Sequence, residues 1–386
     1  MQTADVVVIG GGCTGTSAGF QLGRRGARCV LLERGQVGGG PTGRSSGIIR
    51  MHYSLEPLIR LALGSLEIFQ HFADAVGGTA DFRRTGFLLL AGPADRAHLE
   101  ANVRLQSSLG VRTSVLSPRE LAGLDPAMNL ADVAAAAYEP DSGYADGYAT
   151  STAFAAAARR HGVEVTPGTT ATRIVVERGK VQGVETAAGM IHAPRVLVAA
   201  GPWTPRLLDP LEVRLPIRTM RIQVALVQLR SVAIERVCGD LMKGFYLRPD
   251  VGGQVLLGSI EEGDEEEGSA DVFDEGLDFD FAERIVRKLV WRYPESRDGE
   301  VRGGFASLYD VTPDWQPVLG PVDGIAGLFV AAGFSGHGFK LSPAIGEVMA
   351  HAVLGERSSI DIGVFRPSRF ADGALIRGPY QYGIIG

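Results

Sequence analysis

Gly10-Gly11-Gly12-Cys13-Thr14-Gly15 sets three glycines at the spacing G-x-G-x-x-G, close to the start of the sequence. In that pattern the first glycine makes a tight turn, and the second lets the backbone approach a pyrophosphate. The third lets a helix and a strand pack closely. A helix opening at this point turns unpaired N–H groups and a partial positive charge toward phosphates. Glu33 follows Gly15 by 18 residues, where a carboxylate can accept a hydrogen bond from a ribose hydroxyl. Two cations could hold the other reactant. Lysine is scarce, only Lys180, Lys243, Lys288 and Lys340 against 34 arginines, yet Lys340 lies in a glycine-rich segment. A compact ammonium retained there is specific, and Arg50 offers a planar fork for a carboxylate.

These residues need particular elements to hold them. Residues 4–10 and 28–33 are short β-branched runs that read as buried strands, and 14–25 reads as the helix between them. Further strands are expected over 86–90, 163–166, 172–177, 181–186, 195–199 and 328–331. Helices are expected over 56–77, 151–161 and 281–292. Thr150 or Ser151 would cap the alanine-rich helix at 151. Ser342 as N-cap with Pro343 in the first turn would open a last helix that Gly355 ends. The parallel-strand signals sit at the start, middle and end of the chain. The fold expected is therefore α/β, with a discontinuous Rossmann-like domain over 1–81, 146–214 and 316–386. Residues 82–145 and 215–315 would form an α+β substrate domain with a mainly antiparallel sheet.

Composition narrows the function. Glycine reaches 52 of 386 residues without a G-X-Y period, so tight turns and close backbone approaches explain it better than collagen. The net charge of −6 hides an asymmetry: residues 261–275 carry nine acids and no base. That run reads as a solvated loop. No basic stripe suits nucleic acid, and no apolar run nears the roughly 18 residues of a membrane span. Cys13, Cys29 and Cys238 have no metal or redox spacing, and the N-terminal residues lack a signal-peptide pattern. No metal site and a cytoplasmic, reducing location are expected.

FAD is favoured over NAD by two later segments. Residues 196–203 and 328–338 each run a strand into a turn of small residues, which offers flat backbone walls to an isoalloxazine ring. The helix expected at Ser342 would aim its positive end at the flavin edge that gains negative charge on reduction.

Taken with Gly43-Arg44-Ser45-Ser46-Gly47-Ile48-Ile49-Arg50-Met51-His52-Tyr53, Tyr309-Asp310-Val311-Thr312-Pro313-Asp314 and Gly333-Phe334-Ser335-Gly336-His337-Gly338-Phe339-Lys340, the fingerprint resembles the D-amino-acid-oxidase-like flavoproteins. Within them it is similar to the branch of sarcosine oxidase, glycine oxidase and the proline dehydrogenase β-subunit. The resemblance spans nearly the whole chain. It implies FAD held in an extended conformation, roofed by a sheet of the second domain. It further implies oxidation of the C–N bond of an amino acid or N-alkyl amino acid by hydride transfer to flavin N5, giving an imine. Arg50 and Lys340 would clamp the substrate carboxylate, with Tyr53 and His337 lining the same pocket. Cofactor contacts would come from Gly10, Gly12, Cys13, Thr14, Gly15, Glu33 and Arg34. Gly43, Arg44, Ser45, Ser46, Ile174, Ala200, Gly201 and Trp203 would add to them, as would Gly333, Gly336, His337, Gly338 and Lys340.

Departures from the family pattern carry information too. Ser307 stands where monomeric sarcosine oxidases have the cysteine that tethers FAD, which implies non-covalent FAD. Ala145 replaces a flavin-linked histidine of sarcosine oxidase β-subunits. Tyr309 replaces the carboxylate-binding arginine of glycine oxidase. Leu256 aligns with a lysine that activates oxygen, which leans toward a dehydrogenase. The electron acceptor expected is O2 or an acceptor protein. Two alternatives stay open: an oxidase of a bulkier biosynthetic amine, and a flavin-bearing β-type subunit of a hetero-oligomer.

Overall fold

The computed structural model describes residues 2–261 and 263–378. Six short strands, most of them rich in valine, leucine and isoleucine, build the first sheet. Its order is Glu164–Thr166, Cys29–Leu32, Val6–Ile9, Val196–Val198, Leu328–Ala332 and Val318–Pro321. All neighbours run parallel except the last pair. Both faces are covered, so alternate residues of one strand enter different cores. Val6 and Val8 pack with the helices, whereas Val7 and Ile9 pack with Ile174, Val184 and Ile191 of a smaller sheet. Helix Cys13–Arg24 lies between helix Gly147–Arg160 and the last helix, Gly338–Leu354.

The second large sheet has nine strands, and Arg218–Gln228 is central to it. Glu300–Val311 pairs along one side of that strand, with Ser307 opposite Ile222 and Tyr309 opposite Met220. Val237–Asp240 runs parallel to Phe87–Ala91 while the other pairings are antiparallel, so the sheet is mixed where a mainly antiparallel one was expected. Two distant stretches of chain meet at that seam, and nothing forces a hairpin there. Helix Phe279–Arg292 packs on this sheet through Phe281, Ile285 and Leu289. A three-stranded sheet, Ile48–Ile49 and Arg83–Arg84 on either side of Gly143–Tyr144, carries Arg50 at its end.

Three helix boundaries differ from the sequence reading. The helix expected over 56–77 ends at Gln70, because His71 leaves the helical region (φ −116°), and one further turn follows over Phe72–Ala75. The alanine-rich helix starts at Gly147, capped by Asp146, whose carboxylate accepts from Ala149 N–H at 2.7 Å. Thr150 and Ser151 are inside it, their hydroxyls donating back to Asp146 O and Gly147 O.

The last helix begins at Gly338, so Pro343 is inside it rather than in its first turn, and Ser342 is not its cap. Serines repair the ladder that the proline interrupts. Ser342 Oγ donates to Phe339 O at 2.8 Å, the carbonyl that Pro343 cannot serve. Ser65 Oγ accepts from Ala344 N–H and donates to Leu341 O. Gly355, in the left-handed region at φ 75°, ends the helix as expected. Among the described residues no helix is long and apolar enough to cross a membrane. The tail singled out at 371–386 lies outside the described residues beyond 378.

Candidate active site

The turn after Val6–Ile9 is shaped by backbone contact. Gly10 has φ 115°, and a Cβ there would lie 2.2 Å from Ala199 O. A Cβ on Gly15 would lie 1.9 Å from Gly10 O, so the helix can start this close to the strand only with glycine. Gly12 caps the helix without a side chain, and Thr42 Oγ1 accepts from Cys13 N–H at 3.2 Å. Glu33 braces the turn. Its Oε2 accepts from Gly11 N–H and its Oε1 from Gly35 N–H, each at 2.7 Å.

A continuous cavity of about 700 Å³ runs along this turn. Glu33 and Thr169–Thr172 line one end; Ile222, Tyr246, Ser307–Asp310 and the start of the last helix line the other. Of the residues singled out from sequence, Gly10, Gly12, Cys13, Thr14, Glu33, Arg34, Arg44, Ser45 and Ser46 line it. So do Ala200, Gly201, Trp203, Gly336 and Gly338. Gly15, Gly43 and Gly333 support the walls without lining them. Ile174 turns its side chain into the apolar core instead, because the cavity is met by the preceding residues 169–172. Burial pushes the Cys13 thiol up, which makes Cys13 an inert filler.

These residues fit an extended dinucleotide. The cradle at Gly10 and Gly15 leaves no room for a Cβ, the opening of helix Cys13–Arg24 faces the cavity middle, and a carboxylate stands at one end. The opening of Gly338–Leu354 faces the other end, five residues earlier than the sequence suggested.

Behind that far end the chain gathers a buried polar cluster. Arg50 and Lys340 are 7% and 8% exposed. Burial first, and then the positive charge of Arg50, hold the Lys340 ammonium well below its ordinary range. The Lys340 Nζ donates to Gly336 O at 3.3 Å. Arg50 donates to His52 O, and its guanidinium lies 4.7 Å from the centre of the Tyr53 ring. Tyr53 Oη and His337 Nδ1 are 3.1 Å apart. Burial and the Arg50 charge lower His52 to about 3, so it stays neutral near pH 7. Arg50, Tyr53, His337 and Lys340 are thus brought together, but they do not themselves line the large cavity. Tyr309 and Gly336 stand on its wall, with the Tyr309 ring against Gly336.

Several residues of this site escaped the sequence reading. Tyr246 shares its hydroxyl with Ser46 and Tyr309, and lines the cavity. Arg248 Nε donates to Ser46 O at 2.6 Å and so ties the second sheet to the 43–46 turn. Glu139 is fully buried beside the cluster. Its Oε2 accepts from Met51 N–H and Ser142 Oγ, and burial raises its pKa against the opposing charge of Arg50. An acid closing the apolar run Ala134–Tyr138 is the sequence signal that could have marked it. Asp310 Oδ2 accepts from Gly333 N–H at 2.7 Å, and Ser335 N–H donates to Asp310 O. Burial pushes Asp310 up to about 6.

Known proteins share this architecture. The chain is 28% identical to the mouse (Mus musculus) pyruvate dehydrogenase phosphatase regulatory subunit, mitochondrial, over 90% of its own length and 41% of that protein's. To the sarcosine oxidase subunit beta of Rhodobacter capsulatus it is 27% identical over 96% of the chain and 90% of the relative. The crystal structure of L-proline dehydrogenase from P. horikoshii superposes with a TM-score of 0.89, at 26% identity, covering 97% of this chain and all of that one. The family model for FAD dependent oxidoreductases (DAO) matches residues 5–352. A match of that extent, on a fold whose glycine turn and cavity suit the cofactor, settles the family: the chain belongs to the DAO family of FAD-dependent oxidoreductases.

Proposed function

We propose that this chain oxidises the C–N bond of an amino acid or N-alkyl amino acid of the sarcosine, dimethylglycine or proline kind. The observation that carries this reading is the convergence of two buried cations, Arg50 and Lys340, from opposite ends of the chain. Each is close enough to feel the other, beside the end of the cavity that receives the last helix. Like charges in a dry place favour a bound anion, and a carboxylate matches the guanidinium fork. Relatives named for sarcosine, dimethylglycine and proline support the class.

Bound FAD supplies the hydride acceptor. The chain's own groups do the rest. Arg50 and Lys340 orient the substrate carboxylate, and Tyr53 with His337 fix the wall behind them. Tyr246 and Tyr309 form the cavity wall beside the cluster and would help exclude water there. The amine carbon loses a hydride, the nitrogen lone pair completes an iminium, and water hydrolyses it outside. No side chain is required as a base when the amine enters neutral. In this reading residues 82–145 and 215–315 form the substrate-facing domain, and 1–81, 146–214 and 316–386 the FAD-binding one. Ser307 lines the cavity where a tethering cysteine would stand, so FAD is held without a covalent bond.

The test is anaerobic titration of the purified yellow protein with sarcosine, dimethylglycine, glycine and both enantiomers of proline. Bleaching by one of them is expected, and readmitted air then separates oxidase from dehydrogenase. A flavin that none of them bleaches sinks the small-substrate reading. Similarity to a β subunit over 90% of its length favours a second reading, a flavin-bearing subunit that passes electrons to a partner. Turnover by the single chain with an artificial electron acceptor counts against it.

A further inference from the structure

The acidic segment 261–275 is exposed over most of its described residues, as its solvated reading from sequence expects, but it is also anchored. Its C-terminal part is fixed on the second sheet. Buried Arg221 donates to Asp274 O at 2.8 Å, to Gly276 O at 2.9 Å, to both oxygens of Asp278 and to Glu266 Oε2. Ala306 N–H donates to Glu275 O at 2.8 Å. From this anchor the segment reaches the opposite side of the cavity. Asp271 Oδ1 accepts from Arg34 Nη1 at 2.9 Å and from Trp203 Nε1 at 2.8 Å, and its Oδ2 accepts from Arg206 Nη1 at 2.9 Å. The Arg34 guanidinium lies 3.8 Å from the centre of the Trp203 ring. Arg44 pairs with Glu275 at 2.7 Å. Arg34, Arg44, Trp203 and Arg206 all line the cavity, and the three arginines remain a third or more exposed, which puts them on its rim.

We infer that Asp271 is a positioning residue of the cofactor site: it holds Arg34, Trp203 and Arg206 together across the rim, so that a dinucleotide leaves only when this latch opens. One exposed ion pair contributes little. Here one carboxylate takes three donors, two of them charged, and a stacked guanidinium–indole pair shares the same geometry. The two arginines also outnumber the carboxylate, so the rim stays attractive to phosphates. Hydrogen bonds from Arg34 and Trp203, in that order, hold Asp271 below its ordinary range, so the latch is charged throughout neutral pH. Salt opens it by screening, since its partners face water.

The experiment follows release of FAD from the holoprotein by the recovery of free-flavin fluorescence on dilution, at low and at high salt. Wild type, Asp271→Asn, Asp271→Glu and Glu267→Gln are compared. Glu267→Gln makes the same charge change in the same segment, away from the rim, where Glu267 pairs only loosely with Arg218 at 3.8 Å. Asp271→Asn is expected to release FAD about tenfold faster at low salt, with little further acceleration by salt. Asp271→Glu recovers part of the retention, and Glu267→Gln behaves as wild type. Thermal melting of the flavin-free chains is expected to coincide, because Asp271 is half-exposed. Equal release from wild type and Asp271→Asn overturns the inference, as does equal acceleration by Glu267→Gln. A lowered melting point of flavin-free Asp271→Asn overturns it too, since release then reports a loosened fold.

Discussion

The two ends of the cavity are built on different principles. At the nucleotide end the chain presents main chain: the Gly10–Gly15 turn, an uncapped helix start and a carboxylate that braces two N–H groups. At and behind the other end it gathers side chains from segments far apart in sequence, Arg50 and Tyr53 from one and Glu139, Tyr246, Asp310 and Lys340 each from another. A backbone cradle binds what many nucleotides share, a pyrophosphate and a ribose. A side-chain cluster binds what distinguishes one substrate from another. Damage at the first end should therefore be all-or-none, and damage at the second should be graded and substrate-dependent.

Gly15→Val tests the first half of that contrast most severely. Its Cβ would sit 1.9 Å from Gly10 O, inside a contact made of backbone that cannot turn away. We expect a purified protein without visible flavin absorbance and a stability loss of about 3 kcal/mol or more in denaturant titrations. A yellow Gly15→Val protein would show that the turn is not the cradle.

Arg50→Ala is expected to be graded. Removing one member of a buried charged site costs about 2–4 kcal/mol, so KM for the carboxylate substrate should rise roughly 30- to 1000-fold, with flavin still bound. Arg50→Lys should recover only part of this, because a point charge replaces a fork. The pH dependence has a definite sign. Lys340 is held well below its usual range by burial and Arg50, and carboxylate binding favours its charged form. Affinity for a carboxylate should therefore fall as pH rises through the lowered Lys340 pKa, and Lys340→Met should flatten that profile. An unaltered profile in Lys340→Met removes Lys340 from the clamp.

The same contrast governs what could be read from the residues. The glycine turn, Glu33 and the helix end at Gly355 were legible because each is a local spacing rule acting on its own neighbours. Lys340 stood out through scarcity, a compositional signal. Glu139, Tyr246, Asp310 and Asp271 did not, since an acid or a phenol acquires its role only when another segment packs over it. Ser342–Pro343 shows the opposite failure. The pair satisfies the local rule for a helix start, yet the helix begins at Gly338 because Ser342, Ser65 and Ser17 accept or donate around the proline. Ile174 lies too far along its strand: residues 169–172 meet the cavity, a register irregularity falls between Ala171 and Arg173, and Ile174 packs in the core. The acidic segment is solvated as read, but its anchoring was not legible because its partners, Arg34, Arg206 and Arg221, are remote in sequence.

Asp310 gives the smallest and most selective test, because it lies where the two principles meet. Its carboxylate is a side chain, but it acts on main chain, accepting from Gly333 N–H in a turn where Gly333, Ser335 and Gly336 all have positive φ. Burial raises it to about 6 from the 3.8 of an ordinary aspartate. The folded chain therefore binds more protons than the unfolded chain between those values. The contribution of this group to stability is full below pH 3.8 and is lost as pH rises through about 6, after which it is level. Asp310→Asn cannot titrate. Its stability should exceed that of the wild type increasingly across this window, by on the order of 2 kcal/mol at neutral pH, less whatever the amide loses in binding Gly333 N–H. Denaturant titrations of both flavin-free chains between pH 4 and 8 measure the difference directly. Parallel curves would mean that the turn's N–H groups compensate the buried charge fully, and the far end of the cavity would then be held by backbone just as the near end is.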